Sequence, residues 1–313
     1  MRRRLSILAA AATLVAAVGV APATTLAIFT KTATSTGSIT AGTLAPPTGL
    51  GATGGSTVTL TWTPSVSPLA AGYGIYRSAT SGSGYALVAS VTPGTLATAT
   101  DSPGAGTWYY VLKTTYASWA SVNSNQATAT VTATSTAYKA CVTSAADTVG
   151  AGDNNGYETT PAQACTSDNL FAVDSSSGTS TTASCGAGAV PDATKDRHQF
   201  YGYVFGLPGS VAHIDGIRVQ TDLKLNAVTG TTTLCAQLSS DGGTTWTTIK
   251  TQAVTVAAKT TYIFGATNDT WGRTWALADF GTTTFRVRVI DASTIATRVF
   301  SLDYLAVSVT YAP

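Results

Sequence analysis

Thr57-Val58-Thr59-Leu60-Thr61-Trp62-Thr63 alternates without a break. Val58, Leu60 and Trp62 fall on one side and the four threonines on the other, the period-2 pattern of a strand buried on one face only. β-Branched threonine suits the solvent side of such a strand. The same texture extends outward. Tyr73-Gly74-Ile75-Tyr76-Arg77 reads as a strand that runs into the turn-rich Ser78-Ala79-Thr80-Ser81-Gly82-Ser83-Gly84. Tyr85-Ala86-Leu87-Val88-Ala89 resumes as the next strand, and Trp108, Tyr110 and Leu112 later alternate with Tyr109, Val111 and Lys113. Short strands at regular spacing, with no helical period between them, predict a β-sandwich. Trp62, in phase with the inward residues, is expected in its core.

Toward the N-terminus the chain changes character. Arg2, Arg3 and Arg4 precede a charge-free run, Leu5 to Phe29, rich in Ala, Val and Leu. A basic start, an apolar core and small residues at Ala21-Pro22-Ala23 or Thr25-Leu26-Ala27 form the layout of an export signal. Residues 1–27 are therefore read as a signal peptide, cut after Ala23 or Ala27, and 28–45 as an arm. The alternative is an uncleaved segment that anchors the chain in a membrane, since the run is long enough to span a bilayer.

Composition narrows the function classes. The chain has 17 basic and 15 acidic side chains, and 10% of its residues are charged. Removing residues 1–27 takes away three arginines and no acid, leaving 14 − 15 = −1. A near-neutral surface argues against nucleic acid or anionic lipid as the main partner. The four cysteines, Cys141, Cys165, Cys185 and Cys235, all lie beyond the first sandwich. An even count in an exported chain predicts two disulfides, with three connectivities open. Cys141–Cys165 and Cys185–Cys235 are favoured, because each closes a moderate loop. A zinc site does not fit: there is no Cys-x-x-Cys, and His198 and His213 stand apart from the cysteines.

Several segments resemble known families. Pro46-Pro47-Thr48-Gly49-Leu50, the Trp62 strand, Gly72-Tyr73-x-Ile75-Tyr76-Arg77-Ser78 and Trp108-Tyr109-Tyr110-Val111 resemble a bacterial fibronectin type III domain over residues 46–132. The resemblance implies a spacer module; Trp108 stands at or near the place where that family carries the tyrosine of its corner motif. Thr25-Leu26-Ala27-Ile28-Phe29-Thr30, followed through Ser38-Ile39-Thr40 by Ala41-Gly42-Thr43-Leu44, resembles the start of TasA/camelysin-type fibre proteins. That implies cleavage after Ala27 and an arm able to complete a neighbour's sheet.

After an Ala133–Ala137 linker, acids, cysteines and an Asn-Gly turn appear. Strands are predicted at Phe200–Phe205, Ile214–Leu225, Thr232–Leu238, Phe285–Ile290 and Val299–Tyr311, with Arg286 and Arg288 facing outward. Residues 138–313 resemble a galactose-binding-like jelly-roll, and also a module of bacterial surface proteins carrying Asp-Thr-Trp-Gly-Arg-Thr-Trp. The fold class is thus all-β: a fibronectin type III sandwich followed by a larger jelly-roll β-sandwich.

Site expectations concentrate in this second part. Ser239-Ser240-Asp241-Gly242-Gly243-Thr244-Thr245-Trp246 matches the Asp-box pattern, whose physical content is a hairpin turn. Trp271, Arg273 and Trp275 are the candidate carbohydrate site: two indoles can stack a sugar face while a guanidinium bonds its hydroxyls. The competing reading has both indoles latching a loop, with Arg273 paired to Asp269 or Asp279. Tyr201 and Tyr203 are a weaker aromatic candidate. Asp153, Asn155 and Glu158 offer clustered oxygens for calcium or a plain Asn-Gly turn. Asp303, inside an apolar strand, has Asp147 as a potential calcium partner, or is a carboxylate satisfied by backbone N–H or Tyr. No cofactor is required; structural calcium is the one considered.

Motifs of catalysis are missing. No Gly-x-Ser-x-Gly, His-Glu-x-x-His or phosphate-binding glycine loop occurs, and no two carboxylates are paired by a motif. His198, in Lys195-Asp196-Arg197-His198, is read as part of a surface charge cluster. The expectation is an exported, non-enzymatic surface or matrix protein meeting a cell-surface or matrix glycan or protein. Carbohydrate binding and self-assembly through the arm are the alternatives.

Overall fold

The computed structural model describes residues 28–29, 41–55, 57–147 and 156–312. The expected signal peptide lies outside these residues, as do most of the expected arm and Asp153 and Asn155 of the calcium expectation. The described residues form strands, bridges and turns, with helical geometry confined to two 3₁₀ turns at Pro161–Ala164 and Leu277–Phe280. No described helix is long and apolar enough to cross a membrane. The chain divides into two compact units, one holding residues up to Asp101 with Gly106–Thr130, the other Val131–Pro313 with Ser102–Ala105.

The first unit is a sandwich of two antiparallel sheets. One contains Thr48–Thr53, Val58–Thr63 and Thr98–Asp101. The other is ordered Ala127–Val131, Gly106–Tyr116, Gly72–Ser78, Ala86–Val91, with Trp119–Ala120 paired to the long strand. This is the architecture that the fibronectin type III resemblance implies. The Val58–Thr63 strand buries every second residue, as its alternation requires, and Trp62 meets Tyr73 edge-on at 5.3 Å. The Tyr73 hydroxyl donates to the Gly94 carbonyl and accepts the Ser65 N–H, so a fully buried phenol is satisfied twice. Near the position expected for a corner tyrosine, Trp108 lies beneath the Arg77 guanidinium at 4.7 Å. The buried phenol here is Tyr110, which donates to Asp101.

The arm contributes a two-residue ladder, Ile28–Phe29 against Ala41–Gly42, which joins no larger sheet among the described residues.

The second unit is a larger sandwich. Its six-stranded sheet centres on Phe300–Ala312, which pairs along one edge with His213–Leu225. Its other edge takes three short strands, Thr134–Ser135, Lys139–Ala140 and Ala172–Asp174. Residues 133–137 are therefore not a free linker: Thr134 and Ser135 pair with Tyr311 and Thr310. The opposing sheet is ordered Thr143–Ala146, Arg197–Tyr201, Arg286–Ser293, Thr232–Ser239, Lys250–Ala253. Between the sheets lies one core that includes Phe200, Val219, Leu234, Phe264, Phe285, Val287, Leu305 and Val307.

Three expectations need correction here. The strand expected over Phe200–Phe205 stops at Tyr201, because Gly202 takes φ +86°, a left-handed conformation that breaks the ladder. Arg288 does not face solvent; it is buried beneath the sheet's outer covering, 2.6 Å from the Asp147 carboxylate. Lys195, Asp196, Arg197 and His198 are not a surface cluster either, since all four are buried. The disulfides are Cys141–Cys165 and Cys185–Cys235, spanning 24 and 50 residues.

Candidate functional site

The loop Asn268–Trp275 is built from the inside. Asp269 accepts the Trp271 N–H through its carboxylate, closing a tight turn, and its second oxygen meets the Lys250 ammonium at 2.7 Å. Trp271 takes φ +57°, unusual for a bulky residue, and this turns its indole inward. The indole N–H then donates to the Ile217 carbonyl at 2.8 Å, and Trp271 is 4% exposed. Trp275, equally buried, donates its indole N–H to the Thr270 carbonyl and packs on Phe280 and Phe285. Arg273 covers the outer face of Trp275 at 4.4 Å and pairs with Asp279 at 3.2 Å.

This geometry favours the latch over the two-tryptophan sugar platform. Both indoles are 4% exposed, and each N–H is consumed by a backbone carbonyl. Trp271 and Trp275 latch the loop to the sandwich. What the latch leaves is a cleft of about 510 Å³ beside it, lined by Ala212, His213, Ile214, Thr270, Gly272, Arg273, Thr274 and Trp275. Among its polar groups, Arg273 is held by Asp279 and Ser240 rather than free to swing.

The weaker aromatic candidate divides. Tyr203 is buried against Phe205 and Phe285 and offers no ligand face. Tyr201 is half-buried with the Arg286 guanidinium over its ring at 4.4 Å.

Asp147 and Asp303, the two calcium expectations of the sandwich strands, each stand beside a basic side chain. Asp147 is paired with Arg288, whose guanidinium also lies over Trp246 at 3.8 Å and donates to Gln237. Asp303, fully buried, accepts the Asp168 and Asn169 N–H groups and meets Lys259 at 2.7 Å. A carboxylate already answered by an internal cation gains little from a metal. Glu158 accepts the Ser175 N–H. Among the described residues, no three His, Cys, Asp or Glu side chains converge as a metal set.

The Asp-box segment is a hairpin turn, joining Thr232–Ser239 to the strand that begins at Lys250. Burial works against the Asp241 charge, yet hydrogen bonds from Thr245, Ser239 and Thr244 bring its pKa down to about 2. Gly242 and Gly243 supply the positive φ angles, +73° and +91°, and the Trp246 indole donates to the Gly243 carbonyl.

One group of residues escaped sequence reasoning. Asp174, on the six-stranded sheet, and Asp291, on the opposing one, are both about 1% exposed inside the second sandwich. Burial, then the facing charge of Asp291, drives Asp174 far above the usual carboxylate range; burial raises Asp291 as well. The available signal was a lone Asp in an apolar strand, the same one that singled out Asp303.

No family model matches the chain, and no curated protein matches it. Solved structures do. One is a Fn3-like protein from Clostridium thermocellum, 33% identical over 28% of this chain and 91% of its own, TM-score 0.25. The FN1–FN3 domains of chicken CNTN1 are 10% identical over 82% and 69% of the two chains, TM-score 0.24. The CBM22-1–GH10 modules of a Clostridium thermocellum xylanase, complexed with xylohexaose, are 15% identical over 45% and 24%, TM-score 0.21. At these scores the fold rests on the sheets described above. The TasA/camelysin resemblance gains no support from any of these comparisons.

Proposed function

We propose that this is an exported, non-catalytic surface or extracellular-matrix protein, in which the first sandwich is a spacer and the second presents a binding surface. The observation that carries the reading is the cleft beside the Trp271–Trp275 latch. Its lining combines polar His213, Thr270, Arg273 and Thr274 with apolar Ala212, Ile214 and Trp275. Clefts of a few hundred Å³ with a few fixed polar groups suit small ligands or single sugar units. Arg273, the cation in its lining, is spent on Asp279, which favours positioning over proton transfer. Two disulfides fit an oxidising compartment.

A cell-surface or matrix glycan is the ligand class this cleft fits first, by the hydroxyl-matching chemistry of its polar lining. A glycan array probed with the full chain tests it, against a Thr274→Trp variant that fills the cleft from an exposed position. Binding that weakens at least tenfold in the variant supports the reading, and binding that is unchanged sinks it. Self-assembly is the second reading, favoured by the Ile28–Phe29/Ala41–Gly42 ladder, a sheet with both edges unpaired among the described residues. Sedimentation of the chain with and without residues 28–44 decides that one.

A further inference from the structure

Three residues from separate segments meet on the Phe300–Ala312 strand of the second sandwich. Asp303 is the residue that the ladder skips: Tyr304 pairs with Asp222 and Leu302 with Leu223, so Asp303 is the extra residue of a β-bulge. Bulges re-aim side chains and gather beside reactive sites. The chain between Cys165 and Ala172 arches past this point, because Cys165 stands opposite Tyr304 and Ala172 opposite Leu302. Asp303 holds the arch by accepting the Asp168 and Asn169 N–H groups at Oδ1, and the Cys141–Cys165 disulfide secures one end of it. Lys259 arrives from the opposite flank of the sheet, just before the edge strand Thr260–Phe264. Its ammonium donates to Asp303 Oδ2 at 2.7 Å and to the Asn169 carboxamide Oδ1 at 2.5 Å.

An ion pair would need only Lys259 and Asp303. The carboxamide held against the same nitrogen is the surplus observation. Its carbon lies one C=O bond of about 1.23 Å beyond Oδ1, hence within about 3.7 Å of Lys259 Nζ. Reacting atoms about 3–3.5 Å apart are in near-attack position, and a small rotation of the lysine side chain closes the rest. A lysine amine is a competent nucleophile once a neighbouring base takes its proton. Asp303, fully buried, is such a base in direct contact, while the Lys259 side chain is 35% exposed and leaves a departing group an exit to solvent.

We propose that Lys259 and Asn169 join in an intramolecular amide, with Asp303 as the proton carrier. The ammonium passes a proton to Asp303, and the freed amine attacks Asn169 Cγ. The new Cγ–Nζ bond replaces the Cγ–Nδ2 bond. Asp303 relays the two protons lost by Nζ, and both leave with the carboxamide nitrogen as ammonium. Nothing is oxidised or reduced, and Asp303 ends as the carboxylate it began as. The bond would fasten one flank of the sheet to the other, independently of both disulfides and of any ligand in the cleft.

The test is the intact mass of the reduced full chain, counted from its observed first residue, followed by peptide mapping. The expected result is a chain lighter than its sequence by one ammonia, with a branched peptide that joins the Asn169 segment to the Lys259 segment. Lys259→Arg keeps a cation beside Asp303 but lacks the attacking amine, and should return to full mass. Asp303→Asn, nearly isosteric, should slow formation of the bond about 100-fold or more. Should that variant not fold, Asn169→Ala, from an exposed position, is the second one and should also lose the branched peptide. Three results overturn the proposal: a folded wild type at full sequence mass after prolonged incubation in neutral buffer, an ammonia deficit that maps to another residue, or a deficit that persists in Lys259→Arg.

Discussion

Acidification offers a sharp test of the interior of the second sandwich, through His198. The imidazole is 3% exposed, and the Tyr157 N–H donates to its Nδ1 at 3.2 Å. Nδ1 is therefore the acceptor, and the buried ring is neutral. Burial lowers its pKa from 6.5 to about 4, with Asp147 pulling weakly the other way. The folded pKa lies below the unfolded one, so the contribution is fully present above pH 6.5 and is lost as pH falls toward 4. At about 1.4 kcal/mol per unit, the 2.5-unit gap between 6.5 and 4 amounts to about 3 kcal/mol. Urea unfolding from pH 7 to pH 4 should show that loss as a falling difference between the wild type and a variant that cannot titrate at this position. His198→Asn keeps an acceptor oxygen near the place of Nδ1 and cannot titrate, so it should lack this part of the slope. Asp174 and Asp291 work in the opposite direction. Their folded pKa values are raised, so protonation on acidification stabilises the fold, but they are present in both proteins and cancel in the difference. Parallel slopes for wild type and variant between pH 6.5 and 4 would refute the buried-neutral assignment.

Other perturbations reach different parts of the same unit. Arg288→Met leaves Asp147 buried without its cation and should cost about 3–5 kcal/mol by chemical denaturation. The double variant Arg288→Met/Asp147→Leu should recover most of that loss. Replacing both cysteines of Cys185–Cys235 by serine, across 50 residues, should cost about 4 kcal/mol, and the 24-residue Cys141–Cys165 bridge about 3.5 kcal/mol. Matched thermal melts under oxidising conditions rank the two. Trp271→Ala should destabilise by about 3–5 kcal/mol, because it empties a buried site and strands the Ile217 carbonyl. A variant that melts with the wild type would return Trp271 to the surface.

Much of the fold was legible because it is written in local period. The Val58–Trp62 alternation, the long His213–Leu225 and Phe300–Ala312 strands and the Asp-box turn each depend on neighbours a few residues away. The parts that misled depend on distant partners. Lys195 to His198 look like a solvated charge run, yet their burial comes from the strand around Ile290 and from the chain near Tyr157. Arg288 alternates outward as a strand residue should, but Asp147 and Trp246 cover that face. Trp271 and Trp275 have the spacing of a ligand platform and of a latch alike; only the carbonyls of Ile217 and Thr270 distinguish them. The burial of Asp174 and Asp291 is a tertiary event, invisible until two sheets face each other.

The Phe300–Ala312 strand has a consequence for how the second sandwich comes together. Each of its partners precedes it in sequence, and Ser135 meets Thr310 across 175 residues. Pairing so far apart is slow to nucleate. Until this strand arrives, three short strands have no ladder to join and His213–Leu225 presents a bare edge. The two extremities of the unit thus act as a clasp with unequal halves: losing Phe300–Ala312 takes the spine of the sheet, and losing Thr134–Ser135 takes part of its fringe.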